Sequence, residues 1–394
     1  MRGVYFMKKT LLLVLSAIFL CSAQAAQNNT VPAGKKAVKT EVKKATKKKK
    51  INYYPNLKAP ALSDKQSWTM VVVPDIQGYV SKATNHGILD MMMAWLVTYK
   101  TPLNIRQVLF TGDLVDWNQG GAELPDRKEL IGEEQWKATS KIISRLDGRL
   151  PYIVCTGNHD YGIYAGENRD TNFNKYFATD RNPLTREQII ECGFNASFEK
   201  TMENVVYEFT APYPDCRKFL VVTLQWVPTA RQLEWAKNVF NEPRFANHIG
   251  IVLTHSYMYA DGKYVTKTWK EIEQVGGLPG VEVYNRLVKQ TSNVRLVVCG
   301  HVCAVEDWSK SVGYTETVNG AGKKVSQMVF NTQAIGKQGN RHNGGDGWLR
   351  LLEFMPDKKT VKARTFSPFF AASPSTCHLA WKTDARNEFT FTID

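Results

Sequence analysis

Short apolar runs alternate with helical patterns along most of this chain. From Trp68 onward, runs of four to six mostly β-branched residues end in polar or Gly-containing turns, and the stretches between them repeat apolar residues at helical spacing. This is the rhythm of a layered α/β protein, whose covered strands are nearly continuous in apolar residues. Five runs are predicted as such strands: Trp68 to Val73, Gln107 to Phe110, Tyr152 to Cys155, Ile249 to Leu253 and Val294 to Val298.

The intervening and C-terminal stretches complete the predicted fold. Helices are predicted over Ile88 to Tyr99, Gly132 to Leu146, Arg231 to Phe240 and Val281 to Lys289. After Gly300 the pattern changes to strands, namely Met328 to Phe330, Trp348 to Phe354, Thr360 to Phe366 and Glu388 to Ile393. Because no linker separates them, we expect these strands to complete a second sheet within one domain of residues 67–394.

The first 66 residues have a different composition. Met7-Lys8-Lys9, the apolar run from Leu11 to Leu20 and the small residues around Ala25 fit a signal peptide over residues 1–25. The apolar run is too short to span a bilayer. Residues 26–66 are predicted to be a Lys-rich disordered tail or linker. The sequence therefore predicts an exported bacterial protein, periplasmic or secreted, with no integral membrane span.

The tail accounts for most of the positive charge. Residues 1–50 hold twelve lysines and arginines against the single acid Glu41, whereas the whole chain has a net charge of +14. Residues 51–394 are thus nearly balanced, and the charge does not require a nucleic-acid groove on the folded domain. The tail could contact an anionic envelope polymer weakly, but a solvated tether is the commoner role of such a run.

Cysteine usage fits an export compartment without fixing any pairing. Six cysteines remain once Cys21 is removed with the signal peptide, and disulfides are permitted outside the cytoplasm. Cys192 and Cys216 flank a loop-rich stretch and could pair. Cys155 and Cys299 lie in predicted apolar strands, where a buried free thiol is the more common role.

Residues of the kinds that bind metals follow each of the five predicted strands. They are Asp75 and Gln77, then Asp113, then Asn158 with His159 and Asp160, then His255, and finally His301 with Cys303. Each motif alone is weak, because an Asp or Asn after a strand is usually a helix cap or a turn former. In α/β sheets, however, functional groups collect beyond the carboxyl ends of strands. Together, these oxygen and imidazole donors suit Mn, Fe or Zn.

The ordered motifs resemble those of the calcineurin-like metallophosphoesterase superfamily over about Trp68 to Cys303. That pattern runs Asp-x-His, Gly-Asp, Gly-Asn-His-Asp/Glu, a lone His and Gly-His-x-His. Pro74 to Gln77, Gly112 to Asp116 and Gly345 to Arg350 are similar, more narrowly, to secreted bacterial members with Asp-x-Gln in the first motif. The resemblance implies an α/β fold, a four-layer α/β/β/α sandwich of two mixed sheets flanked by helices. It also implies two divalent metal ions at the sheet edge.

The resemblance also implies which residues hold the metals. One ion would be bound by Asp113, Asn158, His255 and His301, and the other by Asp75, Gln77 and the bridging Asp113. This second set departs from the family, because Gln77 and Cys303 stand where histidines are usual. A Gln carbonyl is a weaker donor and a thiolate favours Zn. Cys303 is therefore either a ligand or a bystander.

The activity implied is hydrolysis of a phosphomonoester or phosphodiester outside the cytoplasm by a metal-bound hydroxide. His159 would be the general acid, polarised by Asp160. An envelope-associated binding protein that keeps the fold and one metal, with little turnover, is the alternative. Asp116 and Trp117 could orient ligands or form the cleft wall, and Asp116 could equally cap the next segment. Tyr161 and Trp226 lie in loops that could reach substrate or simply pack. The substrate cannot be inferred from the fold.

Overall fold

The computed structural model describes residues 57–121, 129–268, 270–274, 276–336 and 343–393. The predicted signal peptide and most of the predicted Lys-rich tail lie outside the described residues. Within the described ranges the strands, in chain order, are β1 (Trp68–Val73), β2 (Ile105–Phe110), β3 (Tyr152–Val154), β4 (Ile189–Phe194), β5 (Lys200–Thr210), β6 (Lys218–Thr223), β7 (Ile249–Leu253), β8 (Val294–Cys299), β9 (Val312–Val318), β10 (Lys324–Phe330), β11 (Leu349–Phe354), β12 (Thr360–Phe366), β13 (Trp381–Lys382) and β14 (Phe389–Thr392).

The helices are short apart from three that run for three turns or more. In chain order they are α1 (Gln77–Val80), α2 (His86–Tyr99), α3 (Gly132–Ile143), α4 (Phe173–Tyr176), α5 (Pro183–Arg186), α6 (Ala230–Phe240), α7 (Lys270–Gln274), α8 (Gly280–Arg286), α9 (Trp308–Ser311) and α10 (Pro368–Ala371). The four predicted helices correspond to α2, α3, α6 and α8. Among the described residues, no helix combines the length and the apolar character needed to cross a membrane.

The strands form two mixed sheets. The first has the order β13-β12-β11-β1-β2-β3, with β14 also paired to β12, and its strands β1, β2 and β3 are parallel. The second has the order β4-β5-β6-β7-β8-β10-β9, and β6, β7, β8 and β10 are parallel. All five strands predicted ahead of the metal-binding motifs are present, three in the first sheet and two in the second.

The sheets pack face to face, and helices cover both outer faces. Side chains of the first sheet such as Leu109 meet Val221 and Val298 of the second sheet in one apolar core. On the outer face of the first sheet, Met92 of α2 and Trp136 of α3 pack in a second cluster. The third cluster lies under α6 and α8, against the second sheet. The predicted four-layer α/β/β/α sandwich is therefore confirmed.

The C-terminal strands divide between the sheets, which differs from the prediction. β9 and β10 join the second sheet, but β11 to β14 return to the first, where β11 pairs antiparallel with β1. β11 is buried along its whole length and β12 along most of it. An apolar run identifies a covered strand without indicating its neighbour, so its pattern could not assign the sheet.

Residues 57–66, which the sequence analysis placed in the tail, contact the first sheet. The buried Glu353 carboxylate of β11 accepts hydrogen bonds from the Ser63 hydroxyl at 2.9 Å and the Ser67 hydroxyl at 2.6 Å. The Trp381 indole donates to the Lys58 carbonyl at 2.6 Å. The lysine run ends at Lys50, and the apolar Leu57 and Leu62 pack against the outer cluster of the first sheet. This segment therefore belongs structurally to the sandwich.

The cysteines that could pair do not do so in the described part of the chain. Cys192 and Cys216 are both free thiols. Cys155 and Cys299 are also free and are fully buried.

Candidate metal centre

The five motifs converge because the parallel strands of both sheets end at the same edge of the sandwich. The loops approach each other so closely that side chains are excluded at two positions. A Cβ at Gly157 would lie 2.1 Å from Asp113 Oδ1, and one at Gly300 would lie 2.1 Å from Asp75 Oδ1. Asp113 (φ 49°) and His301 (φ 67°) also adopt left-handed backbone conformations, which are uncommon outside glycine. Such strain is typical of functional sites.

Four polar side-chain atoms face one another at the centre of this edge. The Asn158 Oδ1 atom lies 3.1 Å from His255 Nε2 and 2.8 Å from His301 Nδ1. His255 Nε2 lies 3.2 Å from Asp113 Oδ2 and 3.2 Å from His301 Nδ1. His255 Nδ1 donates to the Thr111 carbonyl at 2.8 Å, so in the neutral ring Nε2 carries a lone pair. With Nδ1 used in this way, the 3.2 Å contact between His255 Nε2 and Asp113 Oδ2 needs a proton or a metal ion between the two atoms.

The pKa values of the groups at this centre show that it favours positive charge. Burial opposes a charge on His255, but Asp113 and Asp75 outweigh burial and raise the pKa of His255 to about 9. Burial and the neighbouring His255 lower the pKa of His301 to about 3. Burial also works against ionisation of Asp113, but the surrounding histidines hold its pKa far below the usual range. The centre is thus arranged to hold positive charge between Asp113 and its neighbours.

The donor set fits a divalent metal. The side-chain ligand atoms of Asp113, His255 and His301 all lie within 4.8 Å of one another, and the Asn158 carbonyl oxygen points into the same space. One carboxylate, one carbonyl and two imidazoles suit Mn, Fe or Zn. The hydrogen bond from His255 Nδ1 to a backbone carbonyl is the orienting contact typical of metal-binding histidines. All four residues predicted for the first ion are therefore brought together.

Asp75 is adjacent but is already well hydrogen-bonded. Its carboxylate accepts from the Thr111 hydroxyl at 2.7 Å, the Asn331 amide at 2.5 Å and the His301 backbone at 2.8 Å. The Gln333 backbone donates to Asn331 Oδ1 at 3.1 Å, which fixes that amide with its nitrogen toward Asp75. Asn331 is not among the residues predicted from the sequence. A signal was present, because Asn331 directly follows β10, another parallel strand ending at this edge.

Gln77 has one side-chain atom, Oε1, that is available to bind a metal at the centre. Its Nε2 donates to Asp113 Oδ2 at 2.9 Å, whereas its buried Oε1 has no hydrogen-bond partner within the described residues. A buried acceptor without a donor is costly, and a cation would satisfy it. Cys303 is half-buried nearby, and its sulfur accepts from the Gln333 amide at 3.4 Å. The second predicted ligand set is thus less completely gathered than the first.

His159 lies beside these polar side-chain atoms. Its backbone N–H donates to Asp113 Oδ1 at 3.0 Å, and its ring Nδ1 lies 2.7 Å from the Asp116 carbonyl and 3.5 Å from the Asp116 carboxylate. Burial lowers the pKa of His159, but Asp113 and Asp116 outweigh burial, so the net shift is upward. The residue that polarises this ring is therefore Asp116, which the sequence analysis left open between orienting and capping roles.

Asp160 has a different position from the one expected beside the His159 ring. Its buried carboxylate accepts from the backbone N–H groups of Leu114 and Gly157, each at 2.8 Å. It thereby joins the loop that follows β2 to the loop that follows β3. Asp160 acts on the positions of Asp113 and Asn158 through the backbone.

A two-sheet sandwich with metal-binding loops gathered at one edge defines the class of this protein. The sequence model of the calcineurin-like phosphoesterase family matches residues 69–305, which span every motif described above. The chain belongs to that family. The family resemblance inferred from the motifs is therefore confirmed.

Proteins similar to this chain include a bacterial relative and a solved structure. The uncharacterized protein YvnB of Bacillus subtilis (strain 168) is 25% identical over 308 residues, which is 77% of this chain. The match covers 20% of YvnB, so the chain spans about a fifth of that relative. Among solved structures, GAP50, the anchor in the inner membrane complex of Plasmodium, is similar over 83% of this chain and 89% of its own, with 12% identity and a TM-score of 0.41.

Proposed function

We propose that this protein hydrolyses a phosphomonoester or phosphodiester in a metal-dependent reaction outside the cytoplasm. The observation that carries the proposal is the convergence of Asp113, Asn158, His255 and His301 on one point, with His159 alongside. Family membership supports the reaction type. Location outside the cytoplasm rests on the signal-peptide pattern of residues 1–25 alone.

The residues divide the work of the reaction between binding and proton transfer. When bound, divalent ions neutralise phosphate oxygens and make water a better nucleophile. Asp113, Asn158, His255 and His301 hold that charge in place. In the protonated His159 ring, Nδ1–H donates to the Asp116 carbonyl and Nε2–H can give its proton to the departing alkoxide, which leaves the ring neutral. Asp160 links the two ligand-bearing loops through its hydrogen bonds and so fixes their relative positions.

The number of ions is part of the proposal. Two fit the family, and the unsatisfied Gln77 Oε1 beside Asp113 supports a second site. The alternative function, an envelope-associated binding protein with one metal and little turnover, is favoured by the hydrogen bonds that already occupy Asp75. In either case the Lys-rich tail would add only weak contact with an anionic polymer.

The first test combines metal analysis with activity. The purified mature protein would be assayed for bound Mn, Fe and Zn and for hydrolysis of 4-nitrophenyl phosphate and bis(4-nitrophenyl) phosphate. We expect Asp113→Asn to lose both metal and activity. His159→Ala should keep its metal and lose activity by about 10²- to 10⁴-fold.

A matched control is His378→Ala, which removes an exposed histidine remote from the motifs and should change neither quantity. Absence of turnover with any of the metals would refute the hydrolase and support the binding protein. Unchanged activity in His159→Ala would show that His159 is not the general acid. One ion per chain in a fully active enzyme would rule out the second site.

A further inference from the structure

A pocket of about 340 Å³ opens beside the candidate metal ligand His301. Its walls come from the loops after β6, β7 and β8 and from the segment that precedes α7. The lining residues are Trp226, Val227, Ser256, Tyr259, Val265, Lys267, Thr268, His301, Val302 and Cys303. Since His301 belongs to both, a molecule whose phosphate lies at the metal centre can extend directly into this pocket. The volume corresponds to roughly eleven water molecules, enough for a small organic group.

The charge of the pocket is positive. Lys267 contributes its only ammonium group, and no carboxylate is among its lining residues in the described part of the chain. Within the same part, Lys267 has no ion-pair partner, whereas Lys263 on the same loop is held by Asp261 at 2.8 Å. The buried Thr268 hydroxyl also lacks a hydrogen-bond partner there. Among its described lining residues, the pocket therefore presents an ammonium group and hydroxyl groups but no carboxylate.

The cavity on the other flank of the centre has the opposite character. It measures about 90 Å³ and is lined by Gln77, Lys82, Asp116 and Glu129 among others. Lys82 lies 3.6 Å from Glu129, so its charge is already compensated, and the Asp116 carboxylate faces the His159 ring. An anionic group attached to the substrate would thus be attracted more strongly to the Lys267 side than to this one.

One wall of the pocket is held in a strained conformation. Val227 has φ 50°, an outlier for a β-branched residue. The Arg169 guanidinium fixes this turn by donating to the carbonyls of Trp226 at 2.6 Å and Val227 at 2.7 Å. Its carbon also lies 5.6 Å from the centre of the Trp226 ring. Strain of this kind persists where the surroundings enforce it and is typical of ligand-binding walls. The pocket is therefore shaped before any ligand arrives.

We propose that this pocket binds a second anionic group, a phosphate or a carboxylate, on the molecule that carries the scissile phosphate. The Lys267 ammonium and the Thr268 hydroxyl are its donors. The inference rests on the proposed function and narrows its substrate to small organic phosphates with two anionic ends.

The test compares the binding of three probes to the metal-loaded protein by calorimetry. n-Propylphosphonate has one anionic end, 3-phosphonopropionate adds a carboxylate, and propane-1,3-bisphosphonate adds a second phosphonate. We expect the wild type to prefer at least one two-ended probe over propylphosphonate by about tenfold. Lys267→Ala should reduce that preference about fivefold and leave propylphosphonate unchanged. Chelation of free metal by the probes is the same for every variant and cancels in the comparison.

Lys263→Ala is the matched control, since it removes an exposed lysine from the same loop and should keep the full preference. The stronger of the two-ended probes identifies the group as carboxylate or phosphate. Equal weakening of all probes by Lys267→Ala, or no preference in the wild type, would overturn the inference. Because binding is measured without turnover, a preference in a protein that hydrolyses nothing would support this pocket and refute the hydrolase. Hydrolysis by a protein that shows no preference for the two-ended probes would support the hydrolase and refute this pocket.

Discussion

Among single residues, Asp160 links two of the loops that form the centre. Its carboxylate satisfies buried N–H groups of Leu114 and Gly157. We expect Asp160→Ala to lower the free energy of unfolding by about 2 to 3 kcal/mol, because it leaves those donors unsatisfied. It should also weaken metal binding by about 10- to 100-fold, as loss of an orienting contact does. Urea unfolding and metal titration measure the two effects.

Asp160→Asn retains one acceptor oxygen and should show a smaller loss in both measurements. Asp261→Ala removes an exposed carboxylate that pairs with Lys263 and should be indistinguishable from the wild type. Wild-type stability in Asp160→Ala would mean that water replaces the carboxylate and that the loops do not depend on it.

The sequence was largely sufficient to predict which residues lie in the centre, but it did not predict their hydrogen-bond partners. Asp113, Asn158, His255 and His301 follow apolar strands, and strand ends converge by topology, so the sequence alone could bring them together. Asn331 also follows a strand, but an Asn in that place is ordinary turn chemistry. The contact of Asp116 with His159 depends on how the loop folds back, which no spacing rule describes.

At the scale of elements, one buried carboxylate, that of Glu353, is the centre of the polar contacts that attach residues 57–67 to the sandwich. Besides two serine hydroxyls, Glu353 accepts from Arg364 at 2.9 Å, and Arg364 also donates to the Ala61 carbonyl at 2.9 Å. We expect Glu353→Gln to lower the free energy of unfolding by about 3 kcal/mol, because it breaks a buried ion pair. Hydrogen exchange should accelerate at residues 58–67 and not at β7.

Glu316→Gln is the control for that experiment. Glu316 pairs with Lys324 at 3.0 Å on the exposed edge of the second sheet, and its loss should leave the exchange of residues 58–67 unchanged. Exchange that accelerates uniformly in Glu353→Gln would show that the carboxylate stabilises the sheet rather than the segment.

Several elements with a single environment along their length were predicted from the sequence, although the apolar strand β6 was not, and a strand with a mixed environment was missed. β1, β7 and β12 match their predicted bounds, because each is a clear apolar or alternating run. β5 was missed. It contains Glu203 and Asn204. Both side chains are buried, and both form hydrogen bonds with other polar side chains. A pattern of polarity cannot distinguish such a strand from a loop.

At the scale of the molecule, the metal ligands connect the two sheets. Asp113 and Asn158 follow β2 and β3 of the first sheet, whereas His255 and His301 follow β7 and β8 of the second. An ion bound by all four would cross-link the sandwich at this edge. A ligand that binds only the folded state adds about 2.7 kcal/mol of stability at a hundred times its Kd. For a domain of this size we expect Tm to rise by roughly 4 °C.

Thermal unfolding of chelator-treated protein, with and without added Mn or Zn, measures this increment. His255→Ala should abolish the rise in Tm, because it removes a ligand from the second sheet, and Asp113→Asn should do the same from the first. The control variant His378→Ala should show the full metal-induced rise in Tm. Metal should also slow hydrogen exchange near the carboxyl ends of both β2 and β7, since each sheet contributes ligands. Protection confined to one sheet, or a full rise in His255→Ala, would place the ion elsewhere in the molecule.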